Sequence, residues 1–171
     1  LSYASPGIGT SVHMSGELFK SMTGTSMTHI PYKGRQFYLP DLLGGSVQLV
    51  FDNMPSALPM AKEGKIRAIA QTTAKRSAAA PDVPTVAELG YKDFETVQWY
   101  GITVRNGTPV EIINKLQQEC AKTMKAPEVI KRNEAESAIP GGGSPAEYAA
   151  FIAKEQARWK TVVERAQIKP G

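Results

Sequence analysis

The amino-acid sequence predicts an α/β fold built around a parallel β-sheet. In the first half of the chain, short apolar segments alternate with helical stretches, and strands separated by helices of this length form βαβ units. The second half is mostly helical and carries three capping boxes of the Ser/Thr-x-x-Glu type. The 171 residues are 42% hydrophobic and 21% charged, which is typical of a globular domain with a buried core.

The elements of the first half follow one another in βαβ order. A helix is predicted at residues 10–22, before Gly24, which stands where a left-handed residue ends a helix. A short second helix is expected to end at Leu43, and a third runs from Pro55 to Gly64. The predicted strands are residues 1–4, 27–32, 47–51 and 66–71.

The second half is divided by the capping boxes, which open at Thr85, Thr108 and Ser144. In such a box the hydroxyl and the glutamate satisfy opposite N–H groups at the start of a helix. A stretch rich in strand-forming residues lies at 95–104, and the rest of the tail has helices but hardly any sheet for them to cover. The long last helix has an apolar stripe made of Tyr148, Phe151, Ile152, Trp159, Val162, Val163 and Ala166.

Charge and cysteine usage exclude several classes of protein. There are 20 Lys plus Arg and 16 Asp plus Glu, so 20 − 16 gives a net charge of +4, but the basic residues are scattered and predict no nucleic-acid-binding face. The single cysteine, Cys120, excludes a disulfide scaffold and is predicted to lie in the core. Two lone histidines and one cysteine form no metal-spaced set, so neither a metal nor another cofactor is predicted. No apolar run approaches the ~20 residues of a membrane helix, and no secretion signal is recognised.

A glycine-rich turn, Ser5-Pro6-Gly7-Ile8-Gly9-Thr10, joins the first strand to the first helix. In a parallel sheet this junction places free N–H groups and the positive end of a helix at the edge where ligands bind. The backbone of Gly7, Ile8 and Gly9 can approach an anion closely, and Ser5 and Thr10 can add hydroxyl donors. The third glycine of a dinucleotide-binding loop and the Gly-Lys-Ser/Thr of a P-loop are both missing. The alternative is an ordinary turn without a ligand.

Three further residues accompany this turn as candidates. His13 lies in the first helical turn, where a cation is disfavoured, so a neutral ring that bonds ligand or loop is expected; the alternative is a structural residue that pins the turn. Asp52 follows the third strand at the same sheet edge and is a candidate for binding a ligand hydroxyl or ammonium, or for positioning the loop. His29 has no obvious partner and is interpreted as structural. A Ser5–His13–Asp52 triad is not favoured, because Ser5 lacks the Gly-x-Ser-x-Gly setting of a nucleophile elbow.

Ordered motifs along the whole chain resemble a known family. After the glycine turn and His13 come His29-Ile30-Pro31-Tyr32-Lys33-Gly34, Asp41-Leu42-Leu43-Gly44-Gly45, Phe51-Asp52-Asn53-Met54-Pro55-Ser56-Ala57, Gly64-Lys65-Ile66-Arg67-Ala68, Pro81-Asp82-Val83-Pro84-Thr85-Val86-Ala87-Glu88 and Trp99-Tyr100-Gly101. Together they resemble the Bug receptors, the TctC-like periplasmic proteins of tripartite tricarboxylate transporters. Several motifs in this order are far more specific than any single one.

The resemblance implies a type II periplasmic-binding-protein-like fold, in which two α/β domains close on a small carboxylate. Residues 1–97 would be the complete second domain, and residues 98–171 the C-terminal part of domain one, whose N-terminal half is absent. The ligand loop of the second domain then matches residues 5–10 with His13, and the implied partners are a carboxylate and the membrane permease. The implied protein is a periplasmic receptor and not an enzyme, with self-association through the uncovered tail as a further expectation. The alternative is an α/β enzyme that uses the same loop for a phosphate or an acyl oxyanion.

The sequence departs from the family pattern at two places. The residues after Tyr32-Lys33-Gly34 are usually small, whereas Arg35-Gln36-Phe37-Tyr38 is bulky, a departure that bears on the local cleft wall and on ligand size. Pro40 replaces a helix-compatible residue, so its helix is expected to begin late enough to place Pro40 in the first turn.

Overall fold

A computed structural model of the chain describes residues 1–136 and 138–168. Its sheet has three parallel strands in the order β2-β1-β3, where β1 is Ser2–Ser5, β2 is Thr28–Pro31 and β3 is Leu49–Val50. Tyr3 on β1 is in register with His29 on β2 and Leu49 on β3. Helices connect these strands, so the predicted α/β class with a parallel sheet is confirmed.

The helices of the first half are α1 (Ser11–Thr23), α2 (Arg35–Leu43) and α3 (Met54–Lys62). Thr10 caps α1 by accepting the His13 N–H, and Gly24 ends it in the left-handed conformation with φ of 68°, as predicted. Gly16 lies against β1 so closely that a Cβ atom there would be 2.7 Å from the Tyr3 Cζ atom. Close packing of α1 on the sheet therefore requires glycine at this position.

The core lies around β1. Tyr3 and Ala4 are fully buried, and Ala4 packs with Tyr38 of α2 and with Val47, which precedes β3. Because side chains alternate across a strand, Tyr3 and Ser5 face one side of the sheet and Ala4 faces the other. Tyr3 and Ser5 therefore lie on the same side of the sheet, the side against which α1 packs.

Two predictions for this region are wrong. Residues 66–71 form no strand beyond a single bridge between Gln71 and Thr85, and Ile69 is 60% exposed, because no neighbouring strand in the described chain pairs with this segment. Helix α2 begins at Arg35, so Pro40 lies inside the helix and not in its first turn. Hydrogen bonds of its first turn stabilise the start of α2 at Arg35, since the side chains of Arg35 and Tyr38 both donate to Asp52.

The second half contains α4 (Val110–Thr123), α5 (Pro127–Ala135) and α6 (Pro145–Arg165). The capping box of Ser144 forms as predicted, with reciprocal bonds to Glu147, and the box of Thr85 forms on an isolated turn. The box of Thr108 does not form, because its hydroxyl donates to the Arg105 carbonyl and α4 has no side-chain cap. Within the described residues, no helix is both long and apolar enough to cross a membrane.

The chain divides into two compact units. The first unit consists of residues 1–98 together with the residues from Lys160 onward, and the second unit is Trp99–Trp159. All buried hydrophobic residues of the described chain lie in the first unit. In the second unit, Trp99 makes edge contacts with Tyr148 and Phe151, and Cys120 is free and only partly buried, so its predicted core position is wrong. The predicted domain boundary between residues 97 and 98 stays a prediction.

Candidate functional site

The candidate site is the turn between β1 and α1, which begins at Ser5 and ends at the helix cap Thr10. Two backbone positions shape it, Gly7 with φ of 151° and Gly9 with φ of 78°, a region that side-chain-bearing residues rarely adopt. The Thr10 hydroxyl donates to the Gly7 carbonyl at 2.8 Å, and the Ser5 Oγ accepts the Gly7 N–H at 3.2 Å. These bonds make the turn a compact, defined loop.

The loop leaves three backbone donors without an acceptor in the described part of the chain: the N–H groups of Ile8, Ser11 and Val12. The N–H groups of Gly7, Gly9 and His13 are used internally, by Ser5, His13 and Thr10 respectively. No acidic residue lies in the first turn of α1, so no carboxylate there opposes an approaching anion. The loop therefore offers an anion free donors at the positive end of a 13-residue helix.

His13 holds the loop from beneath. Its Nδ1 atom accepts the Gly9 N–H at 3.1 Å, and its Nε2 atom is 3.8 Å from a carboxylate oxygen of Glu17. Burial lowers the pKa of His13, although the Glu17 charge acts in the opposite direction. The ring is therefore neutral near pH 7, and this geometry supports the alternative in which His13 pins the turn. Contact with a ligand stays a prediction.

His29 is the site residue that sequence reasoning missed. Its Nε2 atom lies 2.7 Å from the Ser5 Oγ, and its ring stacks on those of His13 and Tyr3 at centroid distances of 4.0 and 4.9 Å. The interpretation of His29 as a residue without a partner is wrong. Parallel pairing of β1 with β2 could have found it, because that register puts His29 beside Tyr3 on the face that also carries Ser5.

The charged side chain that faces the two imidazole rings is Glu17, and it is paired with Lys20. The Tyr3 hydroxyl donates to Glu17 at 2.6 Å, and the Lys20 ammonium donates to the same carboxylate at 2.8 Å. Burial acts to raise the pKa of Glu17, but the bonds from Lys20 and Tyr3 lower it on balance. Burial, helped by the neighbouring His13, lowers the pKa of His29 to about 4. Two neutral imidazoles thus lie above an ionised carboxylate.

Asp52 makes its hydrogen bonds with residues other than those of the loop and the two histidines. One of its oxygens accepts from Arg35 at 3.1 Å, and the other accepts from Tyr38, Ser56 and the Asn53 N–H. Its side chain is 4% exposed, and no hydrogen bond among the described residues joins it to the loop. The Ser5–His13–Asp52 triad is therefore not assembled, since Ser5 bonds His29 and Asp52 anchors α2 to α3.

The remaining expectations concern metals and the nearby sheet edge. No group of three or more histidine, cysteine, aspartate or glutamate side chains within residues 1–136 and 138–168 could hold a metal ion. Lys33, which follows β2 at the same edge, is exposed.

The family assignment follows from comparison with known proteins. Residues 1–168 match the model of the tripartite tricarboxylate transporter family receptor, TctC. The chain belongs to this family. The glycine loop and its histidines are thus features of a TctC receptor chain, in agreement with the resemblance given by the sequence motifs.

Relatives and solved structures of this receptor family extend the comparison. Protein BugT of Bordetella pertussis is 35% identical over 169 residues, which are 99% of this chain and 52% of BugT. The R. palustris protein Rpa4515, solved with adipate, is 38% identical with a TM-score of 0.91, over 100% of this chain and 57% of that protein. MatC of Rhodopseudomonas palustris, solved with bound malate, is 28% identical with a TM-score of 0.84, over 95% and 56%. The chain spans about half the length of BugT and of most of the other curated relatives it matches.

Proposed function

We propose that this chain is part of a solute-binding receptor that captures a small carboxylate for a tripartite tricarboxylate transporter. The observation that carries the proposal is the loop between β1 and α1, where the Ile8, Ser11 and Val12 N–H groups have no acceptor in the described chain. Two solved proteins of similar fold hold the dicarboxylates adipate and malate. A carboxylate is the ligand chemistry that both the free donors and these relatives favour.

The residues of the proposed site have distinct roles. The backbone of Ile8 and of the first helical residues donates to the ligand, while Gly7 and Gly9 supply the conformation that the loop needs. Thr10 closes the loop onto the helix, and Ser5 and His13 hold it from within. Direct contact of Asp52 with the ligand stays a prediction; its hydrogen bonds join α2 to α3 and, among the described residues, none reaches the loop. The proposed site residues are Ser5, Gly7, Ile8, Gly9, Thr10, His13 and Asp52.

The loop alone is expected to bind weakly. Hydrogen bonds to a charged group contribute about 1.5–3 kcal/mol each, and the helix terminus adds roughly 0.3–2 kcal/mol. Association costs ~4–15 kcal/mol, so the balance is near the roughly −4 kcal/mol that corresponds to about 1 mM. We therefore propose that a second loop, from the part of the relatives' length that this chain does not span, completes the site. Residues 1–97 then act as one receptor domain and residues 98–171 as part of the other.

We further propose that the receptor works in the periplasm and delivers its ligand to the membrane permease. A receptor that captures solute for uptake has to lie on the side of the membrane from which the solute arrives. The proposal also makes the chain a binding protein and not an enzyme, because the Ser5 hydroxyl, the nucleophile a hydrolase would use, is fully buried against His29. Turnover of an ester or a phosphate by the chain would favour the enzyme alternative.

A matched pair of glycine substitutions tests the loop. Gly9 and Gly24 have similar φ angles, 78° and 68°, and a Cβ atom at either would meet nothing within 4 Å. Valine at either position should therefore strain the backbone by a similar amount. Gly9→Val should abolish the chemical-shift changes that dicarboxylates, tricarboxylates and aromatic acids cause at the Ile8 amide, whereas Gly24→Val should keep them. Equal binding by both variants would contradict the loop assignment.

A further inference from the structure

The imidazole pair beneath the loop is built so that its two rings respond differently to a proton. His13 on α1 and His29 on β2 stack at 4.0 Å, and the Tyr3 ring of β1 stacks on His29 at 4.9 Å. Glu17 and Lys20 of α1 are the charged groups that face the pair. Each ring contacts a different point of the loop, Gly9 in one case and Ser5 in the other.

The bond between His13 and Gly9 fixes the tautomer of His13. A backbone N–H can only donate, so the Nδ1 atom that accepts it at 3.1 Å carries no proton. The single ring proton is therefore on Nε2, which faces the Glu17 carboxylate at 3.8 Å. A second proton would have to enter at Nδ1, where it would point at the Gly9 N–H. Two donors cannot face each other at this distance, so Gly9 would have to turn away.

The bond between His29 and Ser5 does not have this restriction. A hydroxyl can donate or accept, and the Ser5 Oγ lies within bonding distance of both His29 Nε2 (2.7 Å) and the Gly7 carbonyl (3.0 Å). If His29 Nε2 carries a proton, it donates to Ser5, whose own proton then goes to Gly7. The hydrogen bond between Ser5 and His29 can therefore form whether or not His29 is protonated, so only the bond between Gly9 and His13 depends on a neutral ring.

We propose that His13 is the positioning residue of the carboxylate loop. Its neutral ring accepts the Gly9 N–H and thereby fixes the orientation of the free N–H groups of Ile8, Ser11 and Val12. Protonation of the ring breaks this bond, and the three groups lose that fixed orientation. The inference rests on the proposed function and names the residue that controls it. Carboxylate affinity then falls on acidification for a reason that lies in the protein and not only in the ligand. Burial, which disfavours the charged ring, keeps the loop set near pH 7.

Two substitutions at one position separate positioning from simple packing. Asparagine offers a carbonyl oxygen that can accept the Gly9 N–H but takes up no proton, whereas leucine fills the space without an acceptor. Titration of the 171-residue chain with adipate, followed through the Ile8, Ser11 and Val12 amide signals, is carried out at about pH 7.5 and about pH 5.5. Protonation of adipate is common to all variants, so their ratio isolates the contribution of His13.

We expect wild-type affinity to fall more than that of His13→Asn between the two pH values, but by less than the about tenfold of one lost hydrogen bond, because the lowered pKa of His13 leaves part of the rings neutral at about pH 5.5. His13→Asn should stay within about threefold of wild type at the higher pH, and His13→Leu should be about tenfold weaker at both. If His13→Asn and His13→Leu lowered the affinity for adipate by the same factor relative to wild type, the inference would be overturned. In the ligand-free chain, ¹⁵N spectra should show Nδ1 of His13 without a proton, and the Gly9 amide should shift in His13→Leu. The opposite tautomer, or an unmoved Gly9 signal, would also overturn it.

The two proposals fail in different ways. If no carboxylate moves the loop amides of any variant while the Gly9 signal still follows His13, the proposed function is wrong and the hold of His13 on Gly9 is confirmed. If carboxylates bind but His13→Leu binds as well as wild type, the proposed function stands and the positioning role is wrong.

Discussion

Helices with similar amphipathic patterns occur in both compact units, but the two units bury very different amounts of apolar surface. In the first unit, Tyr3, Ala4 and Tyr38 are at most 1% exposed, and the sheet supplies the surface on which α1 and α2 pack. Among the described residues of the second unit only Glu155 is buried, while Tyr100 and Ile139 are 85% and 91% exposed. A helical pattern therefore suffices to form helices, but a core forms here only where there is a sheet to cover.

Two glycines show the same contrast at single-atom scale. A Cβ atom at Gly16 would collide with the Tyr3 ring, which is fully buried and tied to Glu17. A Cβ atom at Gly101 would collide with the Tyr148 ring, which is only partly buried. The first collision has nowhere to relax, and the second can be relieved by rotation of a side chain.

Hydrogen exchange should give the largest difference between the units. Amide hydrogens in β1 and α1 require opening of a packed core, whereas those of α4 and α5 lie in helices without buried apolar residues. We expect α4 and α5 to exchange at least about a hundredfold faster in the 171-residue chain. Limited proteolysis should cut first in the same region, unless the exposed apolar residues associate in a dimer, which sedimentation would detect. Equal protection of both units in a monomer would contradict the comparison.

Alanine at the two close-packed glycines should separate the units by stability. Gly16→Ala overpacks the interface of α1 with β1 and should lower the free energy of unfolding by about 2–3 kcal/mol. Gly101→Ala should cost less than about 1 kcal/mol, because Tyr148 can move towards solvent. Urea titration of both variants, with signals assigned to each unit, measures the two changes. A cost for Gly101→Ala equal to that for Gly16→Ala would mean that the second unit is as rigidly packed as the first.

Acid should weaken the first unit selectively. The pKa of His29 is lowered from 6.5 to about 4 and that of His13 is also lowered, in both cases chiefly by burial, so the folded chain binds fewer protons than the unfolded chain. This contribution to stability is fully present above pH 6.5 and is lost as the pH falls from about 6.5 towards 4. At ~1.4 kcal/mol per pKa unit, reduced for partial exposure, the loss is about 1–2 kcal/mol.

The measurement for this prediction is unfolding followed at β1 and at α4 over the same pH range. His29→Asn, which keeps a polar partner for Ser5, serves as the control and should flatten the pH dependence of β1. A pH dependence that is identical at β1 and α4 would show that the imidazole pair is not its source.

Helix caps should give the smallest effect. Ser144 and Glu147 exchange bonds at the start of α6, so Ser144→Ala should cost about 1 kcal/mol of local stability. Thr108 makes no cap bond to α4, so Thr108→Ala should change that helix by less than about 0.5 kcal/mol. Exchange rates in the first turns of α6 and α4 compare the two. A larger effect at Thr108 would mean that its capping box forms in solution.

Local features of this fold are predictable from the sequence because local chemistry decides them. Gly24 ends α1 and Ser144 opens α6 through bonds to residues three or four positions away. Long-range facts are less accessible. Within the described chain, the apolar segment 66–71 forms no strand because only Gln71 pairs with a neighbour, in a single bridge to Thr85. His29 lies against Ser5 because of a pairing register that its own neighbours do not specify. The glycine loop could be found from spacing, but which of its N–H groups remain free could not.

The ion pair of Arg35 and Asp52 constrains how this protein can be recombined with its relatives. Asp52 is almost completely buried, and its cation, Arg35, lies in the first turn of α2. A chimera that imports α2 from a relative with a small residue at position 35 would leave a buried carboxylate without its cation, which destabilises the fold. The two positions, 17 residues apart in the chain, should therefore be exchanged as a unit.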